Sequence, residues 1–292
     1  MKSAFASCHP FVNFIWFAAV ITLSVMLMNP PCLAASAVLS AATLAKIRGG
    51  RALGKTLTYL TPFLLAAALI NCLFNHAGMT PLAYFPSGNA LTGESLAYGA
   101  AAAVMLASAV LWCASLTTVM TSDKLVCLFG KTLPTLGVLV AMTLSFIPRF
   151  AQQFSAVSDA QKCSGAGDEQ NGAAGRLRRT ARVFSITATW ALEGSVQTAD
   201  SMRSRGWGMG GRTSFSPMRF DKRDGTFIAV FSALFASVVA AAALGMLYWH
   251  YFPFIGGELS PLPVCAYAAL CAMPLAMEFW EDKKWTRLKS KI

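Results

Sequence analysis

The sequence predicts an all-α, polytopic membrane protein: about six transmembrane helices, with a pair of cytoplasmic helices inserted between them. Three observations carry this. Hydrophobic residues make up 55% of the chain and charged residues 13%, about half the charged share of an ordinary soluble domain. The chain contains several uncharged runs long enough to cross a bilayer. The basic residues lie between those runs, and twelve of the 24 fall in one block, Arg149–Gly225. A soluble protein of 292 residues could not cover its surface with so few charges. The net charge of +11 would also suit nucleic acid. Because the basic residues alternate with apolar runs, membrane orientation explains them better, and no nucleic-acid partner is expected.

Between Lys2 and Lys46 there is no Asp, Glu, Lys or Arg. One helix of that length would measure about 65 Å, roughly twice a hydrocarbon core. Asn29-Pro30-Pro31 divides it into two spans, Phe11–Met28 and Cys32–Ala45. A cleaved signal peptide ending at Ala35-Ser36-Ala37 is the competing reading, disfavoured because a second apolar stretch follows at once. Lys46, Arg48, Arg51 and Lys55 then read as a basic loop. Thr56–Asn75 forms a third span, and His76–Glu94 an external segment rich in Pro, Gly and aromatics. Ser95–Thr121 is the fourth span, returning at Asp123-Lys124.

Thr132–Pro148 is uncharged and bounded by prolines. Were it to cross, the large basic block would lie outside, against the inside bias of Lys and Arg. It is therefore expected to be a buried or interfacial helix. Two more spans, Thr226–His250 and Leu259–Met277, are joined by a segment containing Glu258, and a basic tail follows. With this parity every Lys and Arg is cytoplasmic. The chain then divides into an N-terminal membrane region (1–122), a cytoplasmic or interfacial region (123–225) and a C-terminal membrane hairpin (226–292).

Inside the block, Phe150–Cys163 and Thr180–Arg205 have helical character, and Gly165–Gly175, with Asp168 and Glu169, reads as a flexible turn. Val183, Ile186, Trp190, Gly194, Thr198 and Met202 recur at three- and four-residue steps, which makes one face of a helix. Gly206 suits a left-handed cap at its end.

Two glycine patterns lack their context. Gly49-Gly50-Arg51-Ala52-Leu53-Gly54-Lys55-Thr56 fits the phosphate-binding loop, but membrane spans flank it where a strand and a soluble helix are required. Gly206-Trp207-Gly208-Met209-Gly210-Gly211 fits the dinucleotide fingerprint, but a helix precedes it rather than a strand. No Ser/His/Asp or Cys/His constellation is concentrated in one region, and the eight cysteines and three histidines form no metal-ligand spacing. No catalytic residue, metal or cofactor is expected. Ser204-Arg205-Gly206 keeps physical content. A guanidinium at a helix end suits the local dipole and can grip a carboxylate or carbonyl with two donors, while glycine lets a partner's backbone approach.

Thr198-Ala199-Asp200-Ser201-Met202-Arg203-Ser204-Arg205-Gly206-Trp207-Gly208, followed by Gly211-Arg212-Thr213, resembles the second Ala-Arg-Gly signature of the transmembrane (T) component of energy-coupling factor transporters. These are ATP-driven importers of vitamins and metal ions such as cobalt. His9-Pro10, Ala160-Gln161-Lys162 and Trp190-Ala191-Leu192-Glu193 extend the likeness over most of the chain. The resemblance implies two cytoplasmic coupling helices whose ends dock on a pair of ATPase subunits, and a separate substrate-binding (S) component in the bilayer. It makes Arg205 the docking residue, flanked by Ser204 and Gly206, with Glu193, Asp200, Met202 and Arg203 supporting the coupling helix. It also implies a bacterial plasma-membrane location with both termini cytoplasmic. Small residues at Ala100–Ala103, Ala240–Ala243 and Gly245 would let the S component pack closely or slide.

The sequence departs from the family twice. Ser204 replaces alanine. The first motif falls on Cys163-Ser164-Gly165 and has no arginine, which leaves Lys162 or Ser164 to make a weaker contact, or shape alone to hold one ATPase. Outside this family, the basic block also fits a membrane-bound enzyme or an anchor that holds acidic lipid headgroups.

Overall fold

The computed structural model describes residues 5–75, 78–84, 90–121, 124, 125, 127, 128, 134–165, 172–209, 220–257 and 260–289. They fold as two compact units. One comprises Met1–Thr121 with Met218–Ile292, and the other Ser122–Pro217. The two ends of the chain thus share a unit, and the central region stands by itself. Lys2, His76, Asp123, Asp168, Glu169, Gly210, Gly211, Arg212, Thr213 and Glu258 lie outside the described residues.

The first unit holds α1 (Pro10–Met26), α2 (Pro30–Arg48), α3 (Gly50–Phe74), α4 (Gly93–Val119), α7 (Lys222–Ala243) and α8 (Pro261–Lys289). The second holds α5 (Pro134–Cys163) and α6 (Ala173–Ser204). Small antiparallel hairpins, β1 (Pro81–Tyr84) with β2 (Ala90–Thr92) and β3 (Trp249–His250) with β4 (Gly256–Gly257), close the α3–α4 and α7–α8 connections. Five helices, α2, α3, α4, α7 and α8, are long and apolar enough to cross a membrane. The chain is an all-α, multi-pass membrane protein. The first apolar helix, α1, has 17 residues and spans about 25 Å, a little less than a hydrocarbon core.

Local chemistry sets most of the helix ends. Pro10 opens α1, and the His9 imidazole accepts a hydrogen bond from the Phe11 amide at 3.3 Å. Pro30 and Pro31 open α2 at the expected break. The basic stretch expected as a loop at Lys46–Lys55 is instead almost wholly helical. Gly49 alone, with φ 89°, separates α2 from α3, because a residue without a Cβ can turn the chain in one step. At α7, Asp221 and Asp224 form a reciprocal capping box, and Asp224 also accepts from the His9 amide at 3.4 Å, joining the starts of α1 and α7. The span expected over Thr226–His250 begins four residues earlier, with the cap. It ends at Ala243, where Gly245 (φ 76°) takes the left-handed position and the Met246 amide bonds back to the Ala241 carbonyl.

Two tryptophans form the centre of the first unit. Trp16 and Trp112 are fully buried and meet edge to face with centroids 5.4 Å apart, with Phe5 and Phe17 against Trp16. Each indole N–H is satisfied across a helix interface: Trp112 Nε1 donates to Ser36 Oγ of α2 at 3.1 Å, and Trp16 Nε1 to the Leu270 carbonyl of α8 at 3.2 Å. The second acceptor has a specific origin. Pro274 lies four residues after Leu270 inside α8 and has no N–H to offer that carbonyl. The α1 indole supplies the missing bond.

Beyond Met277 the expected basic tail continues as the last part of α8. Two of its acidic residues pair with other helices: Asp282 with Lys46 of α2 at 2.9 Å, and Glu281 with Arg223 of α7 at 3.4 Å. These pairs are solvent-accessible, and each contributes about 0–1 kcal/mol.

The Trp16–Leu270 bond can be isolated by a double-mutant cycle. Trp16→Phe keeps the ring and orphans the Leu270 carbonyl, so it is expected to cost about 1–3 kcal/mol in reversible unfolding in detergent. In a Pro274→Ala background the amide restored at position 274 can take that carbonyl, and most of the cost should vanish. An equal cost in both backgrounds would refute this account.

Candidate functional site

In the second unit α5 and α6 lie side by side, joined by a ring contact between Phe150 and Trp190 (6.2 Å, 82°), with Phe146 stacked on Phe150 at 5.7 Å. The helix expected to stop at Pro148 does not stop. α5 passes through Pro148 as a single helix of 30 residues. A proline removes one amide and pushes on one carbonyl, and an exposed helix can absorb that without ending. The expected Gly165–Gly175 turn is also shorter than its glycines suggest, since α6 already starts at Ala173; residues 166–171 lie outside the described part.

α6 carries many Ser and Thr residues for a helix of 32. Their hydroxyls bond back along the helix, for example Thr187 to the Val183 carbonyl at 2.8 Å and Thr198 to the Gly194 carbonyl at 2.7 Å. Val183 and Thr187 are its buried residues, and Gly194, Thr198 and Met202 continue the same stripe half-buried. Ile186 and Trp190, expected on that face, stand at its rim, 41% and 40% exposed. The three-residue steps place them correctly only for a wider contact than one neighbouring helix makes. Leu177, Phe184, Leu192 and Val196 are exposed.

The end of α6 is built from its last six residues. Arg205 is the C-cap, and Gly206 follows with φ 77°. The Gly206 amide donates to the Arg203 carbonyl at 3.0 Å and the Trp207 amide to the Met202 carbonyl at 3.0 Å. This is the paired bonding of a Schellman end, and it agrees with the left-handed cap expected at Gly206. Ser204 turns its hydroxyl back to the Ser201 carbonyl at 2.9 Å. Arg205 is exposed and forms no ion pair among the described residues. Arg203, Asp200 and Glu193 are exposed as well, and Met202 is half-buried.

α5 also ends on a left-handed glycine. Cys163 is its last residue, and Ser164 follows with its amide on the Ala160 carbonyl at 3.0 Å. Gly165 comes next at φ 75° with its amide on the Lys162 carbonyl at 3.2 Å. Cys163-Ser164-Gly165 and Ser204-Arg205-Gly206 therefore share one backbone form: last helical residue, C-cap, left-handed glycine. The C-cap side chain differs. Lys162, close behind on α5, is paired with Asp159 at 2.7 Å, both groups well exposed. The resemblance read from the sequence already pairs these two triplets, and each closes on glycine.

The two glycine patterns sit where phosphate binding is not favoured or not built. Gly49–Thr56 spans a break between two helices with no strand before it. Gly206-Trp207-Gly208 follows the C-terminal end of α6, where free carbonyls present negative charge, whereas a dinucleotide pyrophosphate needs a helix N-terminus.

Gly206→Ala forces a left-handed alanine, and its Cβ would lie 3.3 Å from Met209 Sδ. It is expected to weaken the α6 end by about 1–2 kcal/mol, read as faster hydrogen exchange at the Trp207 amide, with the first unit unaffected. No known protein-family model matches the chain, and no curated protein matches it either.

Proposed function

We propose that this protein is the transmembrane coupling component of an energy-coupling factor importer, and that it transmits ATP-driven motion from ATPase subunits to a substrate-binding S component for vitamin or metal-ion uptake. The observation that carries the reading is Arg205, exposed and without an ion pair among the described residues, at the left-handed end of a long helix. It lies within a segment that resembles the family's docking signature. A guanidinium held at a rigid helix end keeps its fork free for a carboxylate or carbonyl on a partner. The matching end of α5 supports a two-point attachment, one for each ATPase. Such an attachment converts closure of the ATPase pair into movement of the two helices. The moving helices then tilt or release the S component, which packs on small residues such as the exposed Ala240, Ala242 and Ala243.

In this reading the protein hydrolyses no ATP itself. It lies in a bacterial plasma membrane with both termini and the α5–α6 pair on the cytoplasmic side. The positive-inside distribution of Lys and Arg supports that orientation.

Arg205→Glu should abolish recovery of ATPase subunits with the detergent-purified protein and abolish transport, while the thermal midpoint of the protein alone stays the same. Retention of ATPases and transport by this variant would rule out the docking role. If the basic block instead holds acidic lipid, binding to anionic vesicles should fall as salt rises and as each arginine is removed, with no single residue dominant.

Orientation has its own test in an exposed native thiol. With Cys163 as the only remaining cysteine, a membrane-impermeant maleimide should leave intact cells unlabelled and label the protein after permeabilisation. Labelling of intact cells would invert the topology.

A further inference from the structure

The last part of α8 divides its charges between two faces. Glu281 and Asp282 turn toward neighbouring helices of the first unit, where Glu281 meets Arg223 of α7 at 3.4 Å and Asp282 meets Lys46 of α2 at 2.9 Å. Phe279, Trp280, Lys283, Lys284 and Arg287 follow one another at three- and four-residue steps, and so share the other face. All five are exposed, Trp280 at 81% and Phe279 at 66%. The Lys283 ammonium lies over the Phe279 ring, 5.5 Å from its centre. With both acids taken up by Lys46 and Arg223, this outer face carries three cations and two large rings and no carboxylate.

Depth decides what such a face meets. α8 is one of the helices long and apolar enough to cross a membrane, and it starts at Pro261. At 1.5 Å per residue, Trp280 lies about 28 Å further along it. A hydrocarbon core is about 30 Å thick, so the two rings sit where the chain leaves hydrocarbon, and the cations lie one turn beyond, among headgroups. A soluble acidic protein would pair with the cations but leave the rings in lipid. A phospholipid offers both contacts: glycerol and acyl groups for the rings, and a phosphate for the ammonium and guanidinium groups. A zwitterionic headgroup brings its own cation, so three unopposed positive charges favour a headgroup with net negative charge. We propose that the outer face of α8 over Phe279–Arg287 is a binding site for an anionic phospholipid, with Lys283, Lys284 and Arg287 on the phosphate and Trp280 and Phe279 against the lipid below it. The site belongs to the first unit and does not depend on the coupling reading.

Native mass spectrometry of the full-length protein, purified in detergent and titrated with phosphatidylglycerol or phosphatidylcholine, tests this. Phosphatidylglycerol is expected to bind at least about tenfold more tightly. The triple variant Lys283→Gln, Lys284→Gln, Arg287→Gln removes charge from exposed positions of the helix. It should erase the preference while leaving phosphatidylcholine binding unchanged. The same loss of three charges through Arg48→Gln, Arg51→Gln and Lys55→Gln, also at exposed positions, should leave the preference in place. Equal binding of the two lipids by the native protein, or equal loss in both triple variants, would overturn the site.

The rings and the rival occupants have their own readouts. Trp280→Ser should weaken both lipids to a similar degree, because the ring contact does not depend on the headgroup. Unchanged affinity for both would overturn the role given to the ring. Inorganic phosphate should leave the bound lipid in place; displacement would mean a site for free anions rather than lipid. A p-benzoylphenylalanine at the exposed position 286, crosslinked in native membranes, should yield a lipid adduct. A protein adduct would mean that an acidic partner covers this face, and would overturn the proposal.

Discussion

An apolar helix in hydrocarbon gains little by exchanging lipid for another leucine, so association must come from close packing and from polar groups that have no other partner. The bond from the Trp16 indole to the Leu270 carbonyl meets that need. Pro274 leaves the carbonyl without its own helix's donor, and the indole would otherwise be a buried N–H without an acceptor. Each defect repairs the other across the α1–α8 interface. Trp112 extends the repair to α2 through Ser36. From this centre the N-terminal and C-terminal helices assemble into one unit, although the whole of the second unit lies between them in the chain.

The second unit obeys different rules. Its helices are amphipathic rather than uniformly apolar, they bury few residues against each other, and they leave Leu177, Phe184, Leu192 and Val196 exposed. Helices of 30 and 32 residues with so small a common core need firm endings if their tips are to hold a fixed shape. Both endings use a left-handed glycine, with the last amides bonded back one turn. That construction holds the C-cap side chain at a defined place. The cap residue can then vary, arginine on one helix and serine on the other, without altering the backbone that offers it.

Much of this was legible in the residues themselves. The lack of charge, the break at Asn29-Pro30-Pro31 and the cap at Gly206 each follow from local chemistry: solvation of charge, a missing amide, a missing Cβ. These act within a turn or two of chain, so a sequence expresses them directly. Pro148 and Gly49 show the limit of that legibility. The same kinds of residue gave a continuous helix where a stop was expected and a one-residue break where a loop was expected. A proline or glycine states what the backbone permits locally, and the packing around it decides how much of that is used.

What the sequence determined alone was class and punctuation: helices for a membrane, a polar central region, and a glycine-capped arginine at its end. What only the tertiary structure decided was pairing. Trp16 meets the carbonyl that Pro274 orphans, Asp224 ties α1 to α7, and Ile186 and Trp190 stand at the rim of a contact that Thr187 completes. Each of these depends on which helix lies beside which, set by shape and unsatisfied polar groups far apart in the chain. Such long-range complementarity leaves no periodic trace in the residues that make it.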